Sequence, residues 1–96
     1  MSYAVQIRNK VSEEVNNLPD KSRRIIKTAL EQLENDPYPG TNGDKEKIVL
    51  RGGRSIYRLH ISHTYTAYYS ILPDRHIVRV QDIFSTEQAH KKYGYY

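Results

Sequence analysis

Residues 56–72 read Ile56-Tyr57-Arg58-Leu59-His60-Ile61-Ser62-His63-Thr64-Tyr65-Thr66-Ala67-Tyr68-Tyr69-Ser70-Ile71-Leu72. The pattern alternates with a period of two, as expected for strands with one covered face. In 56–62, Tyr57, Leu59 and Ile61 share one face and Ile56, Arg58 and His60 the other. In 64–72, Tyr65, Ala67, Tyr69 and Ile71 alternate with Thr66, Tyr68 and Ser70. Ser62-His63 turns the chain between them. Leu72-Pro73-Asp74-Arg75 turns it again into a strand over 76–83, with Val78 and Val80 inward and Arg79 and Gln81 outward. Short turns make these three strands an antiparallel meander.

Upstream, Tyr3-Ala4-Val5-Gln6-Ile7 alternates as a short strand. From Asn9 the period becomes helical: Val11, Val15 and Leu18 fall on one face, and Pro19-Asp20 breaks the run. Asp20 is placed to cap a second helix. Its apolar stripe is Ile25, Ile26, Ala29, Leu30 and Leu33, and Pro37 ends it. Residues 36–47 are dense in turn formers and read as a loop. Ile48-Val49-Leu50 leads into Arg51-Gly52-Gly53-Arg54, a turn flanked by arginines. Ser85 to Tyr96 opens like a capping box and ends in a basic, tyrosine-rich tail.

The expected fold is α+β in the order β-α-α-β-β-β over a single domain, residues 1–96. A helix hairpin should cover one face of a mainly antiparallel four-stranded sheet (3–7, 56–62, 64–72 and 76–83), followed by a short C-terminal basic helix or tail. Ile26, Leu30, Leu33, Leu59, Tyr69 and Val80 should be buried. The opposite sheet face, with Arg58, His60, Thr66, Tyr68, Arg79 and Gln81, should be an exposed, polar, basic surface.

Composition narrows the chemistry. The 96 residues contain no Cys, which excludes disulfides, thiolate zinc sites and cysteine nucleophiles. No apolar run approaches the ~18 residues of a membrane helix, and no signal-peptide core follows Met1, so a soluble, cytoplasmic protein is expected. The net charge is +4. Residues 1–48 balance, with 8 Lys/Arg and 8 Asp/Glu, whereas residues 49–96 hold 7 Lys/Arg against 3 Asp/Glu. All four His and seven of the nine Tyr also lie in the second half. Cations neutralise phosphates and aromatic faces stack on bases, so this half suits nucleic acid; equally, Tyr is a good strand former.

Among candidate residues, Arg58 suits a phosphate contact and His60 a proton transfer near neutral pH. Arg51 and Arg54 either clamp a phosphate against the Gly52-Gly53 backbone or flank an ordinary hairpin turn. Arg79 and Tyr68 share the face of Arg58. His63 and His76 sit at turns. The four His lack ligand spacing and nearby carboxylates, so neither a metal nor another cofactor is expected. Lys45 and Lys47 alternate with Asp44 and Glu46, and their charge cancels locally.

Several of these elements resemble the RelE/ParE toxin superfamily, along nearly the whole chain and in order. They are Leu33-Glu34-Asn35-Asp36-Pro37, Leu50-Arg51-Gly52, Tyr57-Arg58-Leu59-His60-Ile61, Tyr65-Thr66-Ala67-Tyr68-Tyr69-Ser70-Ile71 and the basic C-terminal segment. The resemblance implies a small α+β toxin held by a cognate antitoxin, which would be acidic and fold on binding. RelE-type members cleave mRNA in the ribosomal A site, while ParE-type members act on DNA gyrase. Arg58 and His60 match the two basic positions of the family strand. Thr66 and Ser85-Thr86 stand where family arginines are common, and Tyr93, Tyr95 and Tyr96 are candidates for a functional C-terminal Tyr. The implied catalytic set is Arg58, His60, His90 and Tyr93. The implied RNA contacts are Arg51, Arg54, Tyr68, Arg79, Lys91 and Lys92. Metal-free cleavage by the neighbouring 2′-OH needs a base, an acid and cations around the phosphorane.

Overall fold

The computed structural model describes residues 2–40 and 45–85. The chain begins with β1 (Ala4–Ile7), followed by two helices, α1 (Asn9–Asn16) and α2 (Asp20–Glu31), and a 3-10 turn at Gln32–Glu34. Four further strands complete it: β2 (Lys45–Val49), β3 (Ser55–Ile61), β4 (Tyr65–Leu72) and β5 (Ile77–Ser85). All five strands join one sheet in the order β1-β5-β4-β3-β2; β1 runs parallel to β5 and the other pairs are antiparallel. Among the described residues, no helix is long and apolar enough to cross a membrane.

The helices follow from the sequence pattern. Val11 and Val15 bury one side of α1, and Ile26 and Leu30 bury one side of α2. Pro19 lies between them, where a proline restricts the residue before it and ends the first helix. Asp20 does not cap α2: Pro19 holds that position, with φ −56°. Asp20 is instead the first helical residue, where its negative charge suits the positive helix end, and it pairs with Arg23.

The helix hairpin covers one sheet face. The main core joins Val11, Val15, Ile26, Leu30 and Leu33 to Leu59, Ile61, Ala67, Tyr69, Val78 and Val80. All six residues expected inside are buried, including Ile26, Leu33, Tyr69 and Val80 at 0% exposure. Tyrosines also stitch one end of this layer. Tyr69 stacks on Tyr57 at 5.5 Å, Tyr57 meets Tyr38 edge-on at 6.2 Å, Tyr38 meets Tyr3 edge-on at 6.3 Å, and Tyr3 stacks on His76 at 5.3 Å. These rings serve packing. The Tyr69 hydroxyl donates to the Pro37 carbonyl at 2.7 Å, and burial pushes its phenol above the ordinary range, with Tyr57 and Asp36 adding to the effect.

Three features depart from the sequence reading. Among the described residues the sheet has five strands, because residues 45–49 pair with 55–59, which takes 45–47 out of the loop expected over 36–47. Lys and Glu are poor strand formers, but pairing along β3 and burial of Ile48 override propensity here. Gly52 and Gly53 close this hairpin at φ +90° and +83°, a region open to glycine. Second, a bulge interrupts the β4–β5 pairing: Tyr68 faces Asp82 and Tyr69 faces Val80, which leaves Gln81 unopposed. The extra residue shifts the alternation, so Ile83 packs on the main core and Phe84 on the opposite face. Third, β5 runs to Ser85, two residues past the strand expected over 76–83, and the helix or tail expected beyond it lies outside the described residues.

Candidate functional site

The sheet face away from the helices carries a row of side chains across four strands. Glu46 on β2 faces Arg58 on β3, Arg58 faces Tyr68 on β4, and Tyr68 faces Asp82 on β5. The next row runs His60, Thr66, Phe84. This face is not the open polar surface expected from alternation. Ile48, Ile56 and Tyr68 form a second apolar cluster, with Leu50 and Phe84 packed against it. Arg58, Thr66 and Tyr68 are buried as a result. Alternation specifies which face a strand residue takes, and tertiary packing decides whether that face is wet.

Arg58 is the electrostatic centre. Its side chain is 5% exposed and its guanidinium donates to the Glu46 carboxylate. Burial by itself disfavours the Arg58 charge. Its hydrogen bonds and charge interactions with Glu46 and Tyr68 outweigh that cost and hold the group above its ordinary pKa. The same Glu46 oxygen lies 4.0 Å from His60 Nε2. One carboxylate therefore stands between a guanidinium and an imidazole. His60 keeps a side-chain exposure of 33%, so its ring is reachable from solvent.

Glu46 is the participant that sequence reading missed. Its neighbours Lys45 and Lys47 mask it in a run of cancelling charge. A strand over 45–49 places Glu46 and Ile48 on the face of Arg58 and Ile56, and that periodicity was the available signal.

The remaining candidates are dispersed. Arg51 and Arg54 are exposed and flank the β2–β3 turn, where Leu50 N–H donates to the Arg54 carbonyl and Gly53 N–H to the Leu50 carbonyl. Arg79 is exposed and lies one cross-strand row from Tyr68, opposite Ser70. Tyr68 has no exposed ring for stacking, being wholly buried. His90, Lys91, Lys92 and Tyr93 lie outside the described residues, as does Thr86. Among the described residues no three His, Asp or Glu side chains gather as a metal group.

No protein-family model matches the sequence. The chain is 28% identical over 91 residues to RelE1 of Methanocaldococcus jannaschii, described as a candidate toxin, across 95% of this chain and 98% of that protein. Its fold is similar to a chain of the RelE-RelB complex from Pyrococcus horikoshii, with a TM-score of 0.74, 24% identity, and coverage of 88% of this chain and 96% of that one. It is also similar to a chain of the RelBE2 toxin-antitoxin complex from Mycobacterium tuberculosis, with a TM-score of 0.68, 15% identity, and coverage of 88% and 99%. The chain is thus similar to RelE1 along nearly the full length of both sequences, and it shares its fold with solved RelE chains.

Proposed function

We propose that this chain is the toxin of a toxin-antitoxin pair, a cytoplasmic endoribonuclease that cleaves mRNA on the ribosome. The observation that carries the reading is the Arg58–Glu46–His60 constellation on the outer sheet face. In the proposed reaction the 2′-OH of one nucleotide attacks the adjacent phosphorus. A 2′,3′-cyclic phosphate forms, the bond to the 5′-oxygen of the next nucleotide breaks, and that oxygen leaves as a hydroxyl. The step transfers one proton from the 2′-OH to a base and one from an acid to the leaving oxygen. His60 is the exchanging group on the described face, with Glu46 orienting its imidazole. Arg58 provides positive charge for the phosphorane, and the substrate phosphate displaces the Glu46 carboxylate from it. His90 and Tyr93 would supply the second proton-transfer group. Lys91, Lys92, Arg51, Arg54 and Arg79 would hold RNA or ribosome, while the burial of Tyr68 leaves it a support for Arg58. The antitoxin is an acidic chain that masks this basic molecule.

A second reading has its own support. Arg58 is buried and already engaged by Glu46 and Tyr68, and Thr66 on the same face brings no charge. Such a face fits a toxin that acts by binding alone, as a gyrase poison or a catalytically inactive relative. Primer extension on mRNA translated in a purified ribosomal system separates the two. Ribosome-dependent breaks made by the parent and lost in His60→Ala support the nuclease. Absence of breaks with the parent removes that reading.

A further inference from the structure

The sheet ends at β1 on one side and at β2 on the other, and the two edges are finished differently. An edge strand offers a row of backbone donors and acceptors to any other strand, and charged side chains, prolines or bulges commonly guard it. β2 begins Lys45-Glu46-Lys47, three charges in succession. β1 is Ala4-Val5-Gln6-Ile7, without a charge, a proline or a bulge. Among the described residues no strand lies beyond it.

Ala4 N–H donates to the His76 carbonyl at 2.8 Å and Arg8 N–H to the Val80 carbonyl at 3.3 Å, so the peptide groups of the even-numbered residues face β5. Successive strand residues direct their N–H and C=O to opposite sides, and those of Val5 and Ile7 therefore face outward. Tyr3 N–H, the preceding member of the outward set, is taken by the Glu34 carbonyl at 2.6 Å, which closes the edge at its start. The open edge is the pair Val5 and Ile7. Beside it, between β1 and α2, lies a cleft of about 290 Å³. Val5, Ile7 and Leu30 give it apolar walls, and Lys27, Glu31 and Glu34 form its rim. Ile7 is 39% exposed.

We propose that β1 pairs antiparallel with β1 of a second copy of this chain, about a two-fold axis through Gln6, to make one continuous sheet across two molecules. The axis sets Val5 of each copy opposite Ile7 of the other. Each such pair exchanges two N–H···O bonds, as the hydrogen-bonded pairs of an antiparallel ladder do, so the outward groups of Val5 and Ile7 all find partners. One patch serves both copies, which a two-fold contact requires. Ile7 of each copy also lies on the cleft side, next to Val5 of the other, and caps that cleft.

The rim charges match in the same register. The Tyr3–Glu34 bond holds the end of the second helical segment beside the start of β1, and the shared cleft shows the helix running back along the strand. From Glu34 the 3-10 turn rises about 6 Å to Glu31, and one more turn of α2 adds about 6 Å to Lys27. The strand covers about 7 Å from Tyr3 to Val5 and about 13 Å to Ile7. Glu31 is thus level with Val5 and Lys27 with Ile7. Under the two-fold, Lys27 of each copy faces Glu31 of the other. The edge is three strands along the sheet from Arg58 and His60 on β3, and the inference stands apart from the proposed reaction.

The test is sedimentation velocity of the full chain across a range of concentrations, which should show a reversible monomer–dimer equilibrium. Lys27→Glu sets like charges across the axis and should weaken the dimer by about tenfold or more. Glu31→Lys should do the same. Mixed in equal amounts, these two variants regain both ion pairs, and the mixture should form a heterodimer at least about tenfold tighter than either variant alone. Ile7→Pro removes one outward N–H and leaves the β5 ladder intact, a position where an edge strand accepts proline, and it should abolish the dimer. A parent that stays monomeric at every concentration overturns the proposal and leaves the edge to a strand of another protein. A dimer indifferent to both charge variants overturns it too, as does a mixture no tighter than its separate components.

Discussion

The two faces of the sheet are both buried, but by different means. The helix-side face is filled by Ile26, Leu30, Leu33, Ala67, Val78 and Val80, together with Tyr69, whose hydroxyl is satisfied by the Pro37 carbonyl. The outer face is closed by a smaller cluster of Ile48, Ile56 and Tyr68, and into it is set a charged guanidinium held by Glu46. Apolar burial is non-directional and tolerates rearrangement at a graded cost. A buried charge depends on one partner in one geometry. The first face is built for stability, and the second has exchanged some of it for a positioned cation and imidazole.

Perturbing each face should separate these roles. The largest expected effect is chemical: on the proposed reaction, His60→Ala lowers ribosome-dependent cleavage by about 10²–10⁴-fold, the usual worth of a proton-transfer group. Its melting temperature should stay near the parent's, because a part-exposed strand residue away from the core changes stability by roughly 0.5 kcal/mol or less. A large stability loss with unchanged cleavage would reverse the assignment of the two faces. Next comes Leu30→Ala, which should cost about 2–5 kcal/mol in a urea titration by opening a cavity in the main core. A loss below 1 kcal/mol would mean that the helix hairpin does not anchor the sheet. Glu46→Ala should cost less, about 1.5–3 kcal/mol, the range for a hydrogen bond to a charged group, since solvent reaches Glu46 and screens the Arg58 charge left behind. Replacing Arg58 by Met in the same chain should recover part of that loss. A double variant no more stable than Glu46→Ala would show that Arg58 does not drive the cost.

The smallest effect concerns pH. Tyr69→Phe removes the hydrogen bond to Pro37 and should cost about 0.5–1.5 kcal/mol. The Tyr69 phenol is raised above its ordinary 10.0 by burial. A raised pKa means that the folded state holds the proton more tightly, so its contribution is complete below the unfolded value and is lost as pH rises past it. Melting temperatures across alkaline pH should therefore fall above about pH 10 in the parent and fall less steeply in Tyr69→Phe. Identical slopes would place the alkaline sensitivity elsewhere.

Much of the fold is legible in the sequence because it is written in periodicity. The alternation in 56–72 and the stripes of Val11-Val15 and Ile26-Leu30-Leu33 specify strands, helices and the residues of the main core. What escapes has a weak local signature or none. Lys45–Val49 becomes a strand only because β3 lies beside it, and the bulge at Gln81 is a property of the β4–β5 pairing rather than of either strand. The site shows the same division. Arg58 and His60 are readable by type and spacing, while Glu46, 12 positions upstream of Arg58, joins them through cross-strand register. Burial of Tyr68 depends on Ile48, Ile56 and Phe84 on other strands and on Leu50 at the β2–β3 turn.

The parallel pairing of β1 with β5 has a consequence for how the molecule is made. Ala4 finds its partner in Ile77, and Ile7 in Val80, so β1 waits for a strand synthesised long after it. β5 is also the strand that joins β1 to the rest of the sheet. A nascent chain can form the local helix hairpin and the β2–β3–β4 meander early. It cannot complete its sheet until β5 has been translated and the long chain between the two ends has been closed. Loop closure of this kind depends only weakly on length but must precede the contacts that reward it. Completion of the sheet is thereby tied to the synthesis of β5, and chains truncated before Ile77 cannot form the β1–β5 pairing.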